Sequence, residues 1–293
     1  MIDQVLPPAQ APVVSAAIFK AYDIRGIVET ALTEEAVSAI GLALGAKARA
    51  RGIGQVVVGR DGRLSGPALA RALSAGLCAA GVDVIDIGMV PTPLVYFATV
   101  LTGCGTGVAV TGSHNPPEYN GLKMMLGGAT LHGEDIRDIA ATLADPARYA
   151  ALFAAKPGTV RTQDVVPDYI ARIAGEVKLA RPLKVVVDAG NGVAGAVAPA
   201  LLRALGITDL TELYCEVDGH FPNHHPDPAH PENLRDLIRE VQARHADIGL
   251  AFDGDGDRLG VVTRNGQMIF PDRQLMLYAA DVLERNPGAT IIY

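Results

Sequence analysis

Short apolar runs alternate with amphipathic stretches along the chain, and this alternation predicts a succession of strands and helices. The run at 55–58 is short and rich in valine, which is typical of a buried strand, and Thr33 is placed to cap the helix before it. Ser65 begins a further stretch that predicts a helix to about Ala80, and 82–88 predicts the next strand. This order is typical of βαβ units, so we predict an α/β fold with parallel or mixed sheets.

The same alternation returns after a stretch of proline, glycine and broken periodicity at 145–164, which predicts a boundary between two units. The elements predicted beyond it are a helix from about Val166, a strand at 184–187, an amphipathic helix behind Pro231, a strand at 248–252, a hairpin at Asn265-Gly266, a helix from Pro271 to about Arg285 and a buried strand at 291–293.

We expect two complete α/β units and the beginning of a third. The chain has 293 residues with 49% hydrophobic composition, enough to bury more than one core. Its first residues contain three prolines and no period of 2 or 3.6, which predicts a loose leader. The predicted divisions are a leader at 1–17, a first unit at 18–155, a second at 156–260 and a partial third at 261–293.

The charge balance and the cysteines exclude several classes of protein. Lys and Arg number 25 against 32 Asp and Glu, giving net −7, and no basic run occurs, so we expect no nucleic-acid partner. No run of about 18 apolar residues and no positively charged leading segment is present, which argues against a membrane span or secretory signal. Three widely spaced cysteines fit a reducing compartment, so we expect a cytoplasmic protein and favour a monomer.

The stretch TGSHNPPEYNGLKMM at 111–125 carries the first candidate chemistry. Ser113 stands in a tight turn after the apolar strand at 108–110, where glycine and two prolines force the backbone to turn, so we expect its hydroxyl to be exposed. His114 is adjacent and Lys123 lies on the next apolar run. A hydroxyl, an imidazole and an ammonium that converge on one pocket suit phosphate chemistry, although a turn serine with no chemical role is the alternative.

A serine hydrolase would use the same hydroxyl differently. It needs a G-x-S-x-G turn, which is absent here, and adjacent side chains seldom have the geometry of nucleophile and base. The sequence therefore favours phosphate chemistry at Ser113 over acyl transfer.

The stretch DGDGDR carries the second candidate chemistry. Asp253, Asp255 and Asp257 are separated by single glycines, and three carboxylates this close repel unless a cation lies between them. Oxygen ligands of this kind suit Mg²⁺. A calcium-binding EF-hand loop would need glycine at Arg258 and glutamate at Arg264, so the calcium alternative fails.

Other polar positions are weaker candidates. Tyr22 and Arg25, in FKAYDIRGIV, can reach an anion or can form an ordinary surface turn. Arg60 and Ser113 both follow predicted strands, and ligands of α/β sheets collect at the carboxyl ends of strands, so we expect the two on one rim. The loop at 188–195 lacks the G-x-G-x-x-G spacing of a dinucleotide site. Four unevenly spaced histidines make a weak zinc alternative: His220, His224, His225 and His230.

Taken together, these motifs resemble the α-D-phosphohexomutase family, and specifically its bacterial phosphomannomutase/phosphoglucomutase branch. The resemblance covers nearly the whole chain from Phe19 onward and is carried by TGSHNPPEYNGLK and DGDGDR, with support from YDIRG and GRDGRLSG. It implies that Ser113 carries a phosphoryl group whose oxygen joins Asp253, Asp255 and Asp257 in holding one Mg²⁺. It also implies a cleft lined by Arg258, Lys123, Arg25 and His114, with Lys123 assisting proton transfer, and with Tyr22 and Arg60 binding phosphate or substrate.

The resemblance implies an isomerase that converts hexose 1-phosphate into hexose 6-phosphate, for glucose, mannose or both, through glucose 1,6-bisphosphate as intermediate or activator. Members of the family have four domains around a central cleft. We expect this chain to lack the later part of the third domain and the whole fourth domain, which holds the substrate's second phosphate. The competing hypothesis is a catalytically incomplete fragment that binds metal and phosphate.

Overall fold

The computed structural model describes residues 12–292, which form two α/β units with one mixed sheet each. The helices of these residues are α1 (Glu34–Ala50), α2 (Gly66–Ala79), α3 (Thr92–Leu101), α4 (Glu134–Ala144), α5 (Pro146–Ala150), α6 (Val166–Glu176), α7 (Ala198–Ala204), α8 (Arg235–Arg244) and α9 (Pro271–Arg285). The strands are β1 (Ile24–Ile27), β2 (Gln55–Arg60), β3 (Asp83–Met89), β4 (Gly107–Val110), β5 (Tyr119–Leu126), β6 (Ala129–Thr130), β7 (Val160–Thr162), β8 (Lys184–Asp188), β9 (Asp209–Leu213), β10 (Ile248–Phe252), β11 (Leu259–Thr263) and β12 (Met268–Ile269). The predicted α/β fold with mixed sheets is confirmed.

The first sheet has the order β1-β5-β4-β2-β3-β7, with β6 paired to β5. Strands β4, β2, β3 and β7 are parallel, whereas β5 runs antiparallel to both β1 and β4. Both faces of this sheet are buried: Val56 and Val58 pack towards the core that contains α1, α2 and α4, and Val57 packs towards α3. Complete burial of each valine side chain contributes about 1.5–3 kcal/mol, which explains the short uninterrupted apolar run.

Local signals in the sequence set the helix starts. The Thr33 hydroxyl accepts a hydrogen bond from the Ala36 N–H (3.2 Å), and two glutamates follow in the first turn of α1, as the sequence predicts. Helix α2 begins directly after Ser65, but the Ser65 hydroxyl does not cap it and instead accepts from Asn120 Nδ2 (2.9 Å). Ser65 therefore ties the helix start to β5.

The second sheet has the order β12-β11-β10-β8-β9, with β10, β8 and β9 parallel and the hairpin β11-β12 antiparallel at one edge. Helix α8 covers one face through Leu237 and Val241, and α7 covers the other through Ala198 and Leu202. Val197 joins the apolar cluster under α3 of the first unit, so the two units share buried surface.

Two pairings cross the divisions that the sequence suggested. Strand β7 lies beyond residue 155 but pairs with β3, so the first sheet extends past the predicted boundary. The hairpin β11-β12 lies beyond residue 260 but completes the second sheet, since β11 pairs with β10. Strand pairing depends on partners distant in sequence, which local composition does not reveal.

The two ends of the chain were predicted less well. The strand predicted at 291–293 is wrong over its described part: 291–292 is not a strand, and Ile292 is 88% exposed because no strand of residues 12–292 pairs with it. Most of the predicted leader lies outside the described residues. Its last part ends in a 3₁₀ turn at Ala16–Ile18, where Ile18 is fully buried against the first core.

The carboxyl ends of the central strands of both sheets face each other. In the first unit β2 ends at Arg60 and β4 ends at Val110, and in the second unit β10 ends at Phe252. The polar residues that follow these strands therefore meet between the two sheets, as expected for α/β folds. No helix among residues 12–292 combines the length and apolar character that crossing a bilayer requires.

Candidate active site between the two units

Ser113 lies in the loop at 111–118 between β4 and β5, which we call the serine loop. Its backbone φ of 50° is in the left-handed region, which is uncommon for a residue other than glycine. Its hydroxyl donates a hydrogen bond to Asp253 Oδ2 across 2.9 Å and lies 3.4 Å from His114 Nδ1. The expectation of an exposed hydroxyl is wrong: Ser113 is 1% exposed because the second unit covers it.

The three aspartates lie in the loop at 253–258 that follows β10, which we call the aspartate loop. One oxygen from each of Asp253, Asp255 and Asp257 lies within 4.8 Å of the others. Asp253 Oδ1 accepts the backbone N–H groups of Asp257 (3.1 Å) and Arg258 (3.0 Å), so the loop curls around this carboxylate. Asp255 Oδ1 is buried without a hydrogen-bond partner. Three converging carboxylates, one with an unpartnered buried oxygen, fit a hard divalent cation.

Lys123 projects from β5 towards the aspartate loop. Its ammonium donates to Asp255 Oδ2 (2.7 Å) and to Asp257 Oδ2. Burial alone would lower the pKa of Lys123, but the two carboxylates outweigh burial and raise that pKa. The side chain is therefore an ammonium that offsets part of the charge of the aspartates.

The three carboxyl groups titrate differently. Burial, followed by the charges of Asp255 and Asp257, raises the pKa of Asp253 to about 8. Burial acts in the same direction on Asp255, but the charge and hydrogen bond of Lys123 outweigh it and lower the pKa of Asp255. Burial and the charge of Asp255 raise the pKa of Asp257. Without a cation the loop therefore retains a proton on Asp253 at neutral pH.

Thr92 is a member of this cluster that the sequence did not single out. Its hydroxyl donates to Asp255 Oδ2 over 2.6 Å, and its backbone N–H donates to the Asp255 carbonyl over 2.9 Å. Thr92 is the first residue of α3 and comes three positions after the end of β3, so it stands at the same strand end as the other polar residues. Its position after the predicted strand at 82–88 was the available signal.

Arg63 is a second site residue that the sequence did not single out. Its buried side chain donates hydrogen bonds to the serine loop. The side chain is 1% exposed, pairs with Asp61 Oδ2 (3.2 Å), and has Phe221 of the second unit 5.2 Å away, over its guanidinium. A Cβ atom at Gly112 would lie 2.4 Å from the guanidinium carbon, so only glycine fits there. The guanidinium donates to four carbonyls of the chain around the serine: Ser113 (2.8 Å), Asn115 (2.6 Å), Pro116 (2.6 Å) and Tyr119 (2.9 Å).

Arg25 and His114 flank the serine. Arg25 Nη1 lies 3.1 Å from Asn115 Oδ1, its Nη2 pairs with Asp23 (2.6 Å), and its Nε is buried without a partner. Burial, followed by the charge of Arg258, lowers the pKa of His114, so this imidazole is largely neutral near pH 7. Arg25 therefore presents a cation, and His114 a neutral ring, to the space beside Ser113.

Three predicted residues remain: Arg258, Tyr22 and Arg60. Arg258 is exposed, and its charge acts on His114. Tyr22 is 76% exposed, and Arg60 donates only to the neighbouring Asp61 carbonyl (3.4 Å), so no hydrogen bond given by the described residues joins either one to the serine or the aspartates. The four histidines of the zinc alternative do not converge: within residues 12–292 the aspartate trio is the one group of three metal-binding side chains.

Comparison with known proteins assigns both units. The family models described as phosphoglucomutase/phosphomannomutase, alpha/beta/alpha domain I and domain II match residues 16–149 and 167–266. A phosphoglucomutase of Neisseria gonorrhoeae is 56% identical over 276 residues, which are 94% of this chain and 59% of that protein. A phosphomannomutase/phosphoglucomutase of Pseudomonas aeruginosa is 53% identical over 285 residues, which are 97% of this chain and 60% of that protein.

A solved structure gives the same result. The crystal structure of a phosphoglucomutase/phosphomannomutase family protein from Burkholderia thailandensis is 55% identical and matches with a TM-score of 0.88, covering 94% of this chain and 61% of that one. The chain thus spans about three fifths of the length of these relatives. The first matched region contains the serine loop and the second contains the aspartate loop, so the chain belongs to the phosphoglucomutase/phosphomannomutase family.

Proposed function

We propose that Ser113 carries a phosphoryl group and that the chain takes part in converting hexose 1-phosphate into hexose 6-phosphate. The 2.9 Å contact between Ser113 Oγ and Asp253 Oδ2 carries this proposal, because it joins the candidate nucleophile to the candidate metal ligands. The names of the relatives from Neisseria gonorrhoeae and Pseudomonas aeruginosa support glucose and mannose as the sugars.

The proposed metal is Mg²⁺, held by Asp253, Asp255 and Asp257 together with an oxygen of phosphorylated Ser113. The fit rests on the three converging carboxylates and on the unpartnered buried oxygen of Asp255. Bound there, Mg²⁺ would offset the repulsion between these carboxylates and a phosphate that carries about −1.5 to −2 charge.

The proposed reaction moves one phosphoryl group at a time. A sugar hydroxyl attacks the phosphorus of phospho-Ser113, the bond between phosphorus and the serine oxygen breaks, and the hydroxyl proton passes to a nearby acceptor. The hexose 1,6-bisphosphate then turns over and returns its other phosphoryl group to the serine oxygen. Phosphoryl transfer of this kind depends mainly on positioning and on stabilising the charge of the transferred oxygens.

The described residues support distinct roles in this reaction. Arg25 and Arg258 supply cationic charge near Ser113, and Lys123 supplies an ammonium in contact with Asp255 and Asp257. The raised pKa of Lys123 makes it a donor and a charge partner. The neutral imidazole of His114 is the better acceptor for the proton, at 3.4 Å from the serine oxygen.

Intact-mass spectrometry tests the nucleophile directly. The chain is incubated with glucose 1,6-bisphosphate and Mg²⁺ beside two variants, Ser113→Ala and Ser65→Ala. Ser65 is a fair control because it lies in the same unit and its hydroxyl contacts only Asn120 among the side chains described. We expect one added phosphoryl group on the parent and on Ser65→Ala, and none on Ser113→Ala. Equal labelling of all three chains would remove Ser113 from the mechanism.

A second candidate function is phosphoryl and metal binding without turnover. The described residues supply the candidate nucleophile and the carboxylates for one phosphoryl group, and the chain spans about three fifths of the length of the relatives named above. A steady-state assay with glucose 1-phosphate separates the two functions. Turnover by this chain would exclude the binding function, whereas labelling of Ser113 without turnover would favour it.

A further inference from the structure

Two loops of the second unit are joined by side-chain hydrogen bonds. His224 Nε2 lies 3.1 and 3.0 Å from the two carboxylate oxygens of Asp188, which is fully buried at the end of β8. Asn223 Nδ2 donates to Asn191 Oδ1 over 2.8 Å. The loop at 220–230 is thereby fixed on the loop at 188–195.

Together these loops hold the backbone of Gly254, the residue between the first two aspartates. The Gly254 N–H donates to the Pro226 carbonyl (3.2 Å), and the Gly254 carbonyl accepts from the Val193 N–H (3.2 Å). Pro226 follows His224 by two residues, and Val193 follows Asp188 by five. A hydrogen bond from each loop therefore fixes the middle of the metal-binding sequence.

The contacts of His224 indicate that its ring is a cation. Nδ1 lies 3.0 Å from the His225 carbonyl while Nε2 faces Asp188, and both partners can only accept. A neutral imidazole donates from one nitrogen alone, so the geometry needs the protonated ring. Burial lowers the pKa of His224, but the Asp188 hydrogen bond and charge outweigh it, with Asp236 adding to the rise. The Tyr214 ring packs against the imidazole in a T-shaped arrangement, with 5.4 Å between the ring centroids.

We propose that His224, anchored on Asp188, is a positioning residue for the aspartate loop, holding Gly254 so that Asp253 and Asp255 face one divalent cation. This inference rests on the proposed function of the aspartates as metal ligands. It assigns a role to the histidine-rich sequence other than zinc binding. His224 acts through the Pro226 carbonyl and touches neither the cation nor the substrate.

Three variants test this role. His224→Ala removes the imidazole, whereas His224→Gln keeps an amide donor near the position of Nε2 but loses the positive charge. His220→Ala is the matched control, because His220 belongs to the same loop, is 70% exposed in its side chain, and contacts only Asp218 by hydrogen bond among the residues described.

The first measurement is amide hydrogen exchange at Gly254 in EDTA, which needs neither metal nor activity. We expect exchange to be at least about tenfold faster in His224→Ala, intermediate in His224→Gln, and unchanged in His220→Ala. The second measurement is the dissociation constant for Mg²⁺ by calorimetry. Loss of residues that orient metal ligands typically weakens binding 10–100-fold, and we expect about tenfold for His224→Ala with partial recovery in His224→Gln.

The outcomes separate this inference from the proposed function. If the parent binds Mg²⁺ and both His224 variants bind it within twofold of the parent, the inference is overturned and the metal site stands. Unchanged exchange at Gly254 also overturns it. Faster exchange with unchanged Mg²⁺ binding reduces His224 to a structural role and overturns it too. A parent chain that binds no Mg²⁺ removes the metal site and the inference together. If His224→Ala does not fold, His224→Gln decides.

Discussion

Ser113 Oγ and Asp253 Oδ2 lie 2.9 Å apart, although the two residues are 140 positions apart in sequence and follow strands of different sheets. The contact is buried on both sides. The serine hydroxyl thus lies at the junction of the two units, and any group attached to it must be accommodated by both. Phosphorylation of Ser113 should therefore change the stability of the contact between the two units.

We expect phosphorylation to destabilise the metal-free chain. A phosphoserine brings about −1.5 to −2 charge into the buried site that also holds Asp255, whose lowered pKa keeps it ionised, and like charges this close repel. In EDTA the phosphorylated chain should melt several degrees below the dephosphorylated one, and Mg²⁺ should reverse the difference. Differential scanning calorimetry of both forms, with and without Mg²⁺, measures this. Equal melting temperatures in EDTA would contradict a close approach of the phosphate to the aspartates.

The proton on Asp253 should make Mg²⁺ binding depend on pH. With its pKa raised to about 8, Asp253 is mostly protonated at pH 7 in the metal-free chain, and a cation must displace that proton. We expect release of about one proton per Mg²⁺ near pH 7. Affinity should rise with pH up to about 8 and then level off.

Calorimetric titrations in buffers of different ionisation enthalpy count the released protons.

The raised pKa of Asp253 also affects folding. Because the folded-state pKa is raised, the stabilising effect is present at low pH and is lost as pH rises towards about 8. The free energy of unfolding of the metal-free chain should therefore fall as pH rises towards about 8. An Mg²⁺ affinity that stays flat between pH 6.5 and 9 would contradict a protonated Asp253.

Arg63 should be among the most sensitive positions of the first unit. Arg63→Met would leave the buried Asp61 carboxylate without its charged partner and would remove the side-chain donor from four carbonyls of the chain around Ser113. Breaking a buried pair in this way costs about 3–5 kcal/mol of stability. Arg60→Met is the matched control, since Arg60 donates only one long bond to the Asp61 carbonyl and should cost under about 1 kcal/mol.

Urea denaturation of the parent and both variants gives these differences. A loss in Arg63→Met no larger than in Arg60→Met would mean that the serine loop does not depend on the buried guanidinium. Phosphoryl transfer to Ser113 should also fall in Arg63→Met, because the loop geometry that presents the hydroxyl to Asp253 is lost. The pair of arginines therefore compares a buried guanidinium that holds the serine loop with a half-buried one that does not.

The local parts of the site could be predicted from the sequence, and its long-range parts could not. Glycine spacing alone indicates that the aspartate loop curls, and the family resemblance that the two loops carry is confirmed by the comparisons. Arg63 looks like a residue of a surface turn in GRDGRLSG, because its carbonyl partners lie 50–56 residues later. Thr92 was missed for the same reason, with a partner 163 residues away.

The errors in the fold have the same origin. Ser113 sits in a turn that looks exposed, but it is covered by a loop from the other unit. The local sequences of strand β7 and of the hairpin β11-β12 do not show which sheet each one joins. Burial and strand pairing are properties of two distant segments at once, whereas periodicity and turn chemistry describe only one.

Close packing of the two loops predicts a large effect at Gly254. A Cβ atom there would lie 2.3 Å from the Ser113 carbonyl oxygen, a distance that no packing allows without movement of one loop. Gly254→Ala should therefore separate Ser113 from Asp253, lower the rate of Ser113 phosphorylation by at least about tenfold, and weaken Mg²⁺ binding. Gly175→Ala is the control: a Cβ atom there meets nothing within 4 Å, and alanine favours the helix α6 by about 1 kcal/mol. Time-resolved intact-mass measurement with glucose 1,6-bisphosphate compares the two, and equal phosphorylation rates would show that the serine and aspartate loops need not touch for transfer to occur.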